Sequence, residues 1–146
     1  MTRRVATLAL QGLILLLPAC ASAPAMDAPV TPLLNTYWQL SSLGSAAVQA
    51  GAAQSQPHLS LLERDQRVGG SLGCNAMNGS YILDGEHLAF GPMISTRMAC
   101  MKGMDIERGF ADALRNSASW KITGSRLELY DAGGQPLAGF EAKPTP

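Results

Sequence analysis

The chain has 146 residues, 11 basic and 11 acidic side chains, 47% hydrophobic residues and a mean hydropathy of +0.07. That apolar share excludes a disordered chain, and the length admits one small core rather than several domains. The charge is balanced and no basic patch stands out, so nucleic acid is not an expected partner.

At the N-terminal end, Arg3 and Arg4 precede an apolar run from Val5 to Leu17, interrupted by Gln11 and Gly12. The run is shorter than the roughly 20 apolar residues a membrane span needs. A positive start, a short apolar stretch and the small Ala19 read as a secretory signal peptide over residues 1–19. Cys20 follows directly, and the pattern resembles a bacterial lipoprotein signal, in which the thiol is acylated and becomes the new N-terminus. Pro18 departs from that pattern, which more often has Ser, Ala, Thr or Val there. The non-acidic Ala21 directs the expectation to the outer membrane, facing the periplasm. Acyl chains stabilise membrane association by about 0.8 kcal/mol per buried CH₂, so the expected partner of this end is a lipid bilayer. Residues 20–32 carry Pro24, Pro29, Pro32 and the single charge Asp27, and read as an extended tether.

Residues 33–142 read as the folded domain. Tyr37 to Leu43 puts Trp38 and Leu40 on one face of a strand, and His58 to Glu63 repeats the alternation through Leu59 and Leu61. Between them, Ser45 to Pro57 is rich in Ala, Gln and Gly and reads as a flexible loop. Tyr81-Ile82-Leu83 meets Asp84-Gly85, a hairpin turn signal, and the return strand passes Leu88 and Phe90. From Met104 to Asn116 the period changes: Ile106, Phe110 and Leu114, with Ala113 beside them, form one stripe of an amphipathic helix. Asp105 and Glu107 near its start and Arg115 near its end suit the helix dipole. Gly109 costs about 1 kcal/mol relative to alanine, so this helix depends on docking its stripe against the sheet. Trp120 and Ile122 then lead into Gly124-Ser125, Leu127 and Leu129 follow, and Asp131 to Gln135 turns into a last strand through Leu137 and Phe140. The expected fold is α+β and mostly β: a curled antiparallel sheet or incomplete barrel of about 8 strands, with one α-helix over about residues 104–116 covering an opening.

Two cysteines remain after Cys20. In the oxidising compartment that the leader implies, Cys74 and Cys100 are expected to form a disulfide. Two free buried thiols, or half of a metal site, are the alternatives, and few further ligands stand nearby to complete a metal site.

The stretch from Arg67 to Tyr81 is unusually rich in small and turn-forming residues. Gly69, Gly70 and Gly73 permit backbone conformations or close approaches closed to other residues. Asn75 can bond the backbone of its own turn, and Asn78-Gly79 is a further turn signal. The Gly73-Cys74-Asn75 core, followed by Asn78-Gly79-Ser80-Tyr81, then Ser95-Thr96-Arg97-Met98-Ala99-Cys100, resembles the META domain, or HslJ-like, family. The opening Leu34-Asn35-Thr36-Tyr37-Trp38-Gln39-Leu40 resembles that family's first strand. The resemblance implies a small envelope or secreted domain, often a lipoprotein, associated with heat-shock expression, novobiocin tolerance and, in some parasites, virulence. No established catalytic activity comes with it. The matched motif positions Gly73, Cys74, Asn75, Gly79, Tyr81, Thr96, Met98, Ala99 and Cys100 are read as architecture, tight turns and a staple, with a ligand site as the alternative.

No residue set suggests catalysis. His58 and His87 lack a metal-ligand spacing, Asp84 and Glu86 flank a hairpin turn, and Ser71 lacks the strand-to-helix setting of a nucleophile elbow. The glycine-rich run has no lysine and no following helix, so it does not resemble a phosphate loop. No cofactor and no metal is expected. Met77, Met93, Met98, Met101 and Met104 read as core filling, with a soft surface for a hydrophobic partner or a soft-metal site as alternatives. The expected function is that of a non-catalytic envelope lipoprotein that binds an envelope protein or an apolar ligand in support of stress or antibiotic tolerance. Two alternatives are an inhibitor of a secreted hydrolase, with Leu72 to Asn78 as its wedge, and a lipid carrier using the interior of the incomplete barrel.

Overall fold

The computed structural model describes residues 30–146; Cys20, the leader and most of the tether lie outside the described residues. Strands β1 (Tyr37–Leu43), β2 (Ala46–Ala47), β3 (His58–Leu62), β4 (Arg67–Ser71), β5 (Ala76–Asp84), β6 (His87–Phe90) and β7 (Ile94–Ser95) precede helix α1 (Met104–Asn116). Strands β8 (Ser119–Thr123), β9 (Arg126–Tyr130) and β10 (Pro136–Lys143) follow it. All strand pairs are antiparallel. The order β10-β9-β8-β6-β5-β4-β3-β1 closes on itself through β1–β10, while two-residue β2 and β7 pair at the margins. Eight strands thus form a ring, as the alternation predicts, but not a regular barrel. The β1–β10 ladder runs from Tyr37↔Lys143 to Leu43↔Ala138, whereas β6 meets β8 at the single register pair His87↔Ser119. The ring is therefore thinnest beside β6.

Alternate residues of each strand point inward and fill the ring. Trp38, Leu40, Leu59, Leu61, Val68, Met77, Tyr81, Leu88, Leu127, Leu129 and Phe140 are all buried. Trp38 donates its indole N–H to the Leu33 carbonyl at 2.9 Å, so its one polar atom is satisfied inside the core. The interior is packed side chain rather than lumen, which removes the barrel interior as a lipid cavity. Helix α1 packs onto β1, β6 and β10, and Phe110, Ala113 and Leu114 are the buried part of its stripe. The Phe110 ring sits 5.5 Å from that of Phe140. Gly109, costly for an isolated helix, lets α1 approach the sheet: a Cβ there would lie 2.9 Å from Leu43 Cδ1.

The glycine-rich stretch differs from expectation. Arg67–Ser71 is strand β4, and Asn78-Gly79 lies inside β5 rather than at a turn. Gly70 stands between Leu59 and Met77 in the sheet, and a Cβ there would collide with the His58 carbonyl oxygen. Close approach, not turning, explains it. The folded body reaches slightly beyond residues 33–142: Thr31 N–H donates to the Gly124 carbonyl at 3.2 Å, and β10 runs to Lys143. The loop after β1 contributes β2 and buries Ala53. Among the described residues no helix is long and apolar enough to cross a membrane.

Candidate functional site

Two features are built against helix α1: a clasp at its first turn and a groove farther along it. The clasp is built on the turn between β4 and β5. Leu72 N–H donates to the Asn75 carbonyl at 2.8 Å, and Gly73 takes φ +112°, which disfavours any side chain there. Cys74 bonds to Cys100 with a Cα separation of 5.9 Å, linking the turn to the approach of α1. The side chain of Asn75, a residue only 2% exposed, does not bond its own turn as expected. Its Oδ1 accepts from the Thr96 hydroxyl at 2.8 Å and from Met98 N–H at 2.7 Å. Its Nδ2 donates to the Met98 carbonyl at 3.2 Å and to both Glu107 oxygens at 2.9 and 3.1 Å. Asn75 backbone N–H adds a bond to Glu107 Oε2 at 3.0 Å, and Ala76 N–H donates to Thr96 Oγ1 at 3.2 Å. One amide side chain thus ties together the β4–β5 turn, the segment before the helix and the helix's first turn. Every polar atom of Asn75's side chain is used, which is what a buried amide needs.

The groove arises because β5 outlasts its neighbour. Its far end, Tyr81–Asp84, pairs with β6, and its near end, Met77 and Asn78, pairs with β7. Between them Gly91-Pro92-Met93 crosses Gly79, where a Cβ would collide with Met93 Sδ and lie 3.1 Å from the Pro92 carbonyl oxygen. Gly79 therefore makes room for this crossover. Helix α1 returns alongside and leaves a cavity of about 420 Å³. Leu72, Met77, Phe90, Gly91, Pro92, Met93 and Ser95 line its sheet side, and Ala111, Leu114 and Arg115 its helix side. Its size falls in the ~300–1,000 Å³ range of small-molecule pockets. Arg115 is the one charged lining residue; its Nη1 donates to Asp112 Oδ1 at 2.6 Å, and both side chains are exposed. A guanidinium has five N–H donors, so others stay free for an anion. A wider, shallower hollow of about 780 Å³ between Val30–Leu33 and Ser119–Ile122 is formed by the incoming chain rather than by the clasped frame.

The remaining motif residues divide by role. Tyr81 is buried in the core and donates its hydroxyl to the Leu62 carbonyl at 3.0 Å. Burial, and then the nearby Glu63 carboxylate, raise its phenol above the ordinary 10.0. Ala99 is exposed, and Met98 holds its backbone in the clasp while its side chain is 56% exposed. Met101 is fully exposed and Met93 half-buried, so core filling describes Met77 but not the methionines as a group. Within Leu72 to Asn78, Leu72, Gly73, Cys74, Asn75 and Met77 are buried, and only Ala76 and Asn78 are exposed. His58 stacks on Tyr37 with ring centroids 4.4 Å apart and donates Nδ1–H to the Gln56 carbonyl, a structural role. Among the described residues no three His, Cys, Asp or Glu side chains gather in metal-binding geometry.

Glu107, Phe90, Pro92 and Arg115 are the residues that sequence reasoning missed at this site. Glu107 reads as a dipole-compensating carboxylate, and only its place beside the half-buried Ile106 hints at a partner. The Gly91-Pro92 pair after a strand is the one local sign that β6 stops short.

A family model described as the META domain matches residues 31–144. Among solved structures, an NMR structure of a protein from Burkholderia xenovorans is 25% identical, covers 89% of this chain and all (100%) of its own, and superposes with a TM-score of 0.64. A second NMR structure is 23% identical over 75% of this chain and 91% of its own, with a TM-score of 0.58. The crystal structure of a DUF4847 family protein from Bacteroides vulgatus shares the fold at 13% identity, covering 78% of this chain and 96% of its own with a TM-score of 0.55. No curated protein matches. The matched span takes in both halves of the clasp and the helix they hold, and the chain belongs to the META domain family.

Proposed function

We propose that this chain is a bacterial envelope lipoprotein, acylated on Cys20 and held at the outer membrane facing the periplasm. Its META domain works by binding a partner in the groove between α1 and the β6–β7 margin, in support of envelope integrity under stress or antibiotic challenge. The reading assigns the domain no chemistry of its own. The single observation that carries it is the partly apolar cavity of about 420 Å³ set against a frame fixed by a disulfide and the Asn75–Glu107 clasp. A preformed site loses little conformational entropy on binding, so such a frame suits recognition. The leader pattern ending at Cys20 supports the membrane tether, and the heat-shock and novobiocin-tolerance associations that the resemblance implies support the setting.

The test is titration of the full chain in detergent micelles with an environment-sensitive apolar dye, 1-anilinonaphthalene-8-sulfonate, beside Ala111→Trp, whose indole fills the groove. Saturable binding to the wild type that Ala111→Trp abolishes supports the reading. Equal dye binding by both proteins above the micelle background, or none by either, rejects it.

A further inference from the structure

Besides Arg115 and Ser95 Oγ, the groove offers hydrogen-bonding groups of the backbone along one wall. Gly91 N–H donates to the Ser80 carbonyl at 2.9 Å and Thr96 N–H to the Ala76 carbonyl at 3.1 Å, so both amides face β5. In an antiparallel ladder the direction alternates residue by residue. The N–H and C=O groups of Phe90 and Ser95 therefore face away from β5, toward the cavity that both residues line. On that side β6 is satisfied at Leu88, whose N–H reaches the Ala118 carbonyl at 3.1 Å and whose carbonyl accepts from the Ser117 hydroxyl at 3.0 Å. Phe90 and Ser95 have no backbone partner there among the described residues. Pro92 between them offers no donor, which confines recognition to the two ends and blunts the edge against indiscriminate pairing.

Resting on the binding-module reading above, we propose that the groove takes an extended peptide, which adds as a short strand to the β6–β7 edge and places an acidic side chain or C-terminal carboxylate on Arg115. In register terms Phe90 pairs with Tyr81 and Ser95 with Met77, four residues apart on β5. At about 3.3 Å per residue that is ~13 Å, the reach of roughly five extended residues. Alternate apolar side chains of the peptide rest on Leu72, Met93 and Leu114, while its backbone meets Phe90 and Ser95. An alkyl chain fits the apolar wall but leaves those two backbone positions desolvated and unpaired, a penalty of about tenfold or more in affinity for each. Arg115, the only charge on the lining, selects for an anionic end.

Fluorescence anisotropy on the full chain in micelles tests this with three probes: a labelled octapeptide pool with Val, Ile or Thr at alternate positions and a free C-terminal Asp, the same pool N-methylated at alternate amides, and labelled dodecanoic acid. The unmethylated pool should bind, and N-methylation in the register that faces the edge should weaken it about tenfold, the loss of one or two desolvated hydrogen bonds. Ser95→Pro should weaken the pool similarly, because proline on an edge strand removes only the outward N–H. Arg115→Gln should weaken the free-carboxylate pool and leave a C-terminally amidated, Asn-ended pool unchanged. Dodecanoate binding without peptide binding, or equal binding of methylated and unmethylated pools, overturns the strand-addition proposal while leaving the groove as a binding site. Binding of no probe overturns both. If Ser95→Pro loses the fold by circular dichroism, the methylated pool decides the matter on the unaltered protein.

Discussion

Replacing Asn75 by alanine should be the most damaging small change in the motif. The substitution removes five side-chain bonds to three residues, Thr96, Met98 and Glu107, and leaves Glu107 only the backbone N–H of residue 75. A hydrogen bond to a charged group contributes about 1.5–3 kcal/mol and a neutral one about 0.5–1.5 kcal/mol. Thr96 and Met98 are exposed, so water replaces much of what they lose, while the carboxylate of half-buried Glu107 is less easily compensated. The net loss is about 3 kcal/mol, or roughly 10 °C in Tm for a domain of this size. Urea unfolding of the oxidised protein, followed by circular dichroism, measures it as a fall in midpoint with unchanged slope. Asn116→Ala is the matched control, since exposed Asn116 donates a single bond to the Asp112 carbonyl at 2.8 Å. An Asn75→Ala loss no larger than the Asn116→Ala loss would refute the reasoning.

Three further outcomes are open to direct measurement, two from the structure and one from the proposed anchor. Reducing Cys74–Cys100, or replacing both by serine, should cost about 3.5 kcal/mol in the chain-entropy model for a sequence separation of 26, read by the same urea titration; an unchanged midpoint contradicts this. The folded chain keeps the Tyr81 proton at a pH where the unfolded chain has released it. Its contribution is therefore intact below the ordinary 10.0 and lost as pH rises through the folded value, and Tyr81→Phe should flatten the alkaline fall in stability. An equally steep fall in the variant contradicts that assignment. Cys20→Ser should yield a chain whose intact mass lacks acyl groups and which leaves the membrane fraction; membrane retention without acylation would contradict the anchor.

The strands and helix were legible wherever one face sees core and the other water. Trp38 and Leu40, Leu59 and Leu61, and Leu127 and Leu129 each announce their strand by alternation, and Phe110, Ala113 and Leu114 announce the helix by period. Strand β4 was not legible, because Gly69 and Gly70 carry no side chain to alternate. The reason for Gly70 is the His58 carbonyl beside it, a neighbour known only once the sheet is paired. Asn78-Gly79 misleads in the same way: the dipeptide favours a turn, but the crossover of Pro92 and Met93 requires that glycine within a strand. The cysteine pairing was readable from the count and the expected compartment. The Asn75–Glu107 contact was not, since it joins residues 32 apart and each has an adequate local explanation. The groove was least legible, because it depends on the unequal lengths of β5 and β6 and not on any motif.

Residue-resolved amide hydrogen exchange by NMR on the full chain in micelles tests the open margin beside α1 most directly. In the free protein, Gly91 and Thr96 should be protected by β5, while Phe90 and Ser95 exchange freely. Adding the acidic octapeptide pool should slow exchange at Phe90 and Ser95 and leave Gly91 and Thr96 unchanged. Protection of Phe90 and Ser95 already in the free protein, or no response of either amide to a bound peptide, would contradict an edge held open for a partner strand.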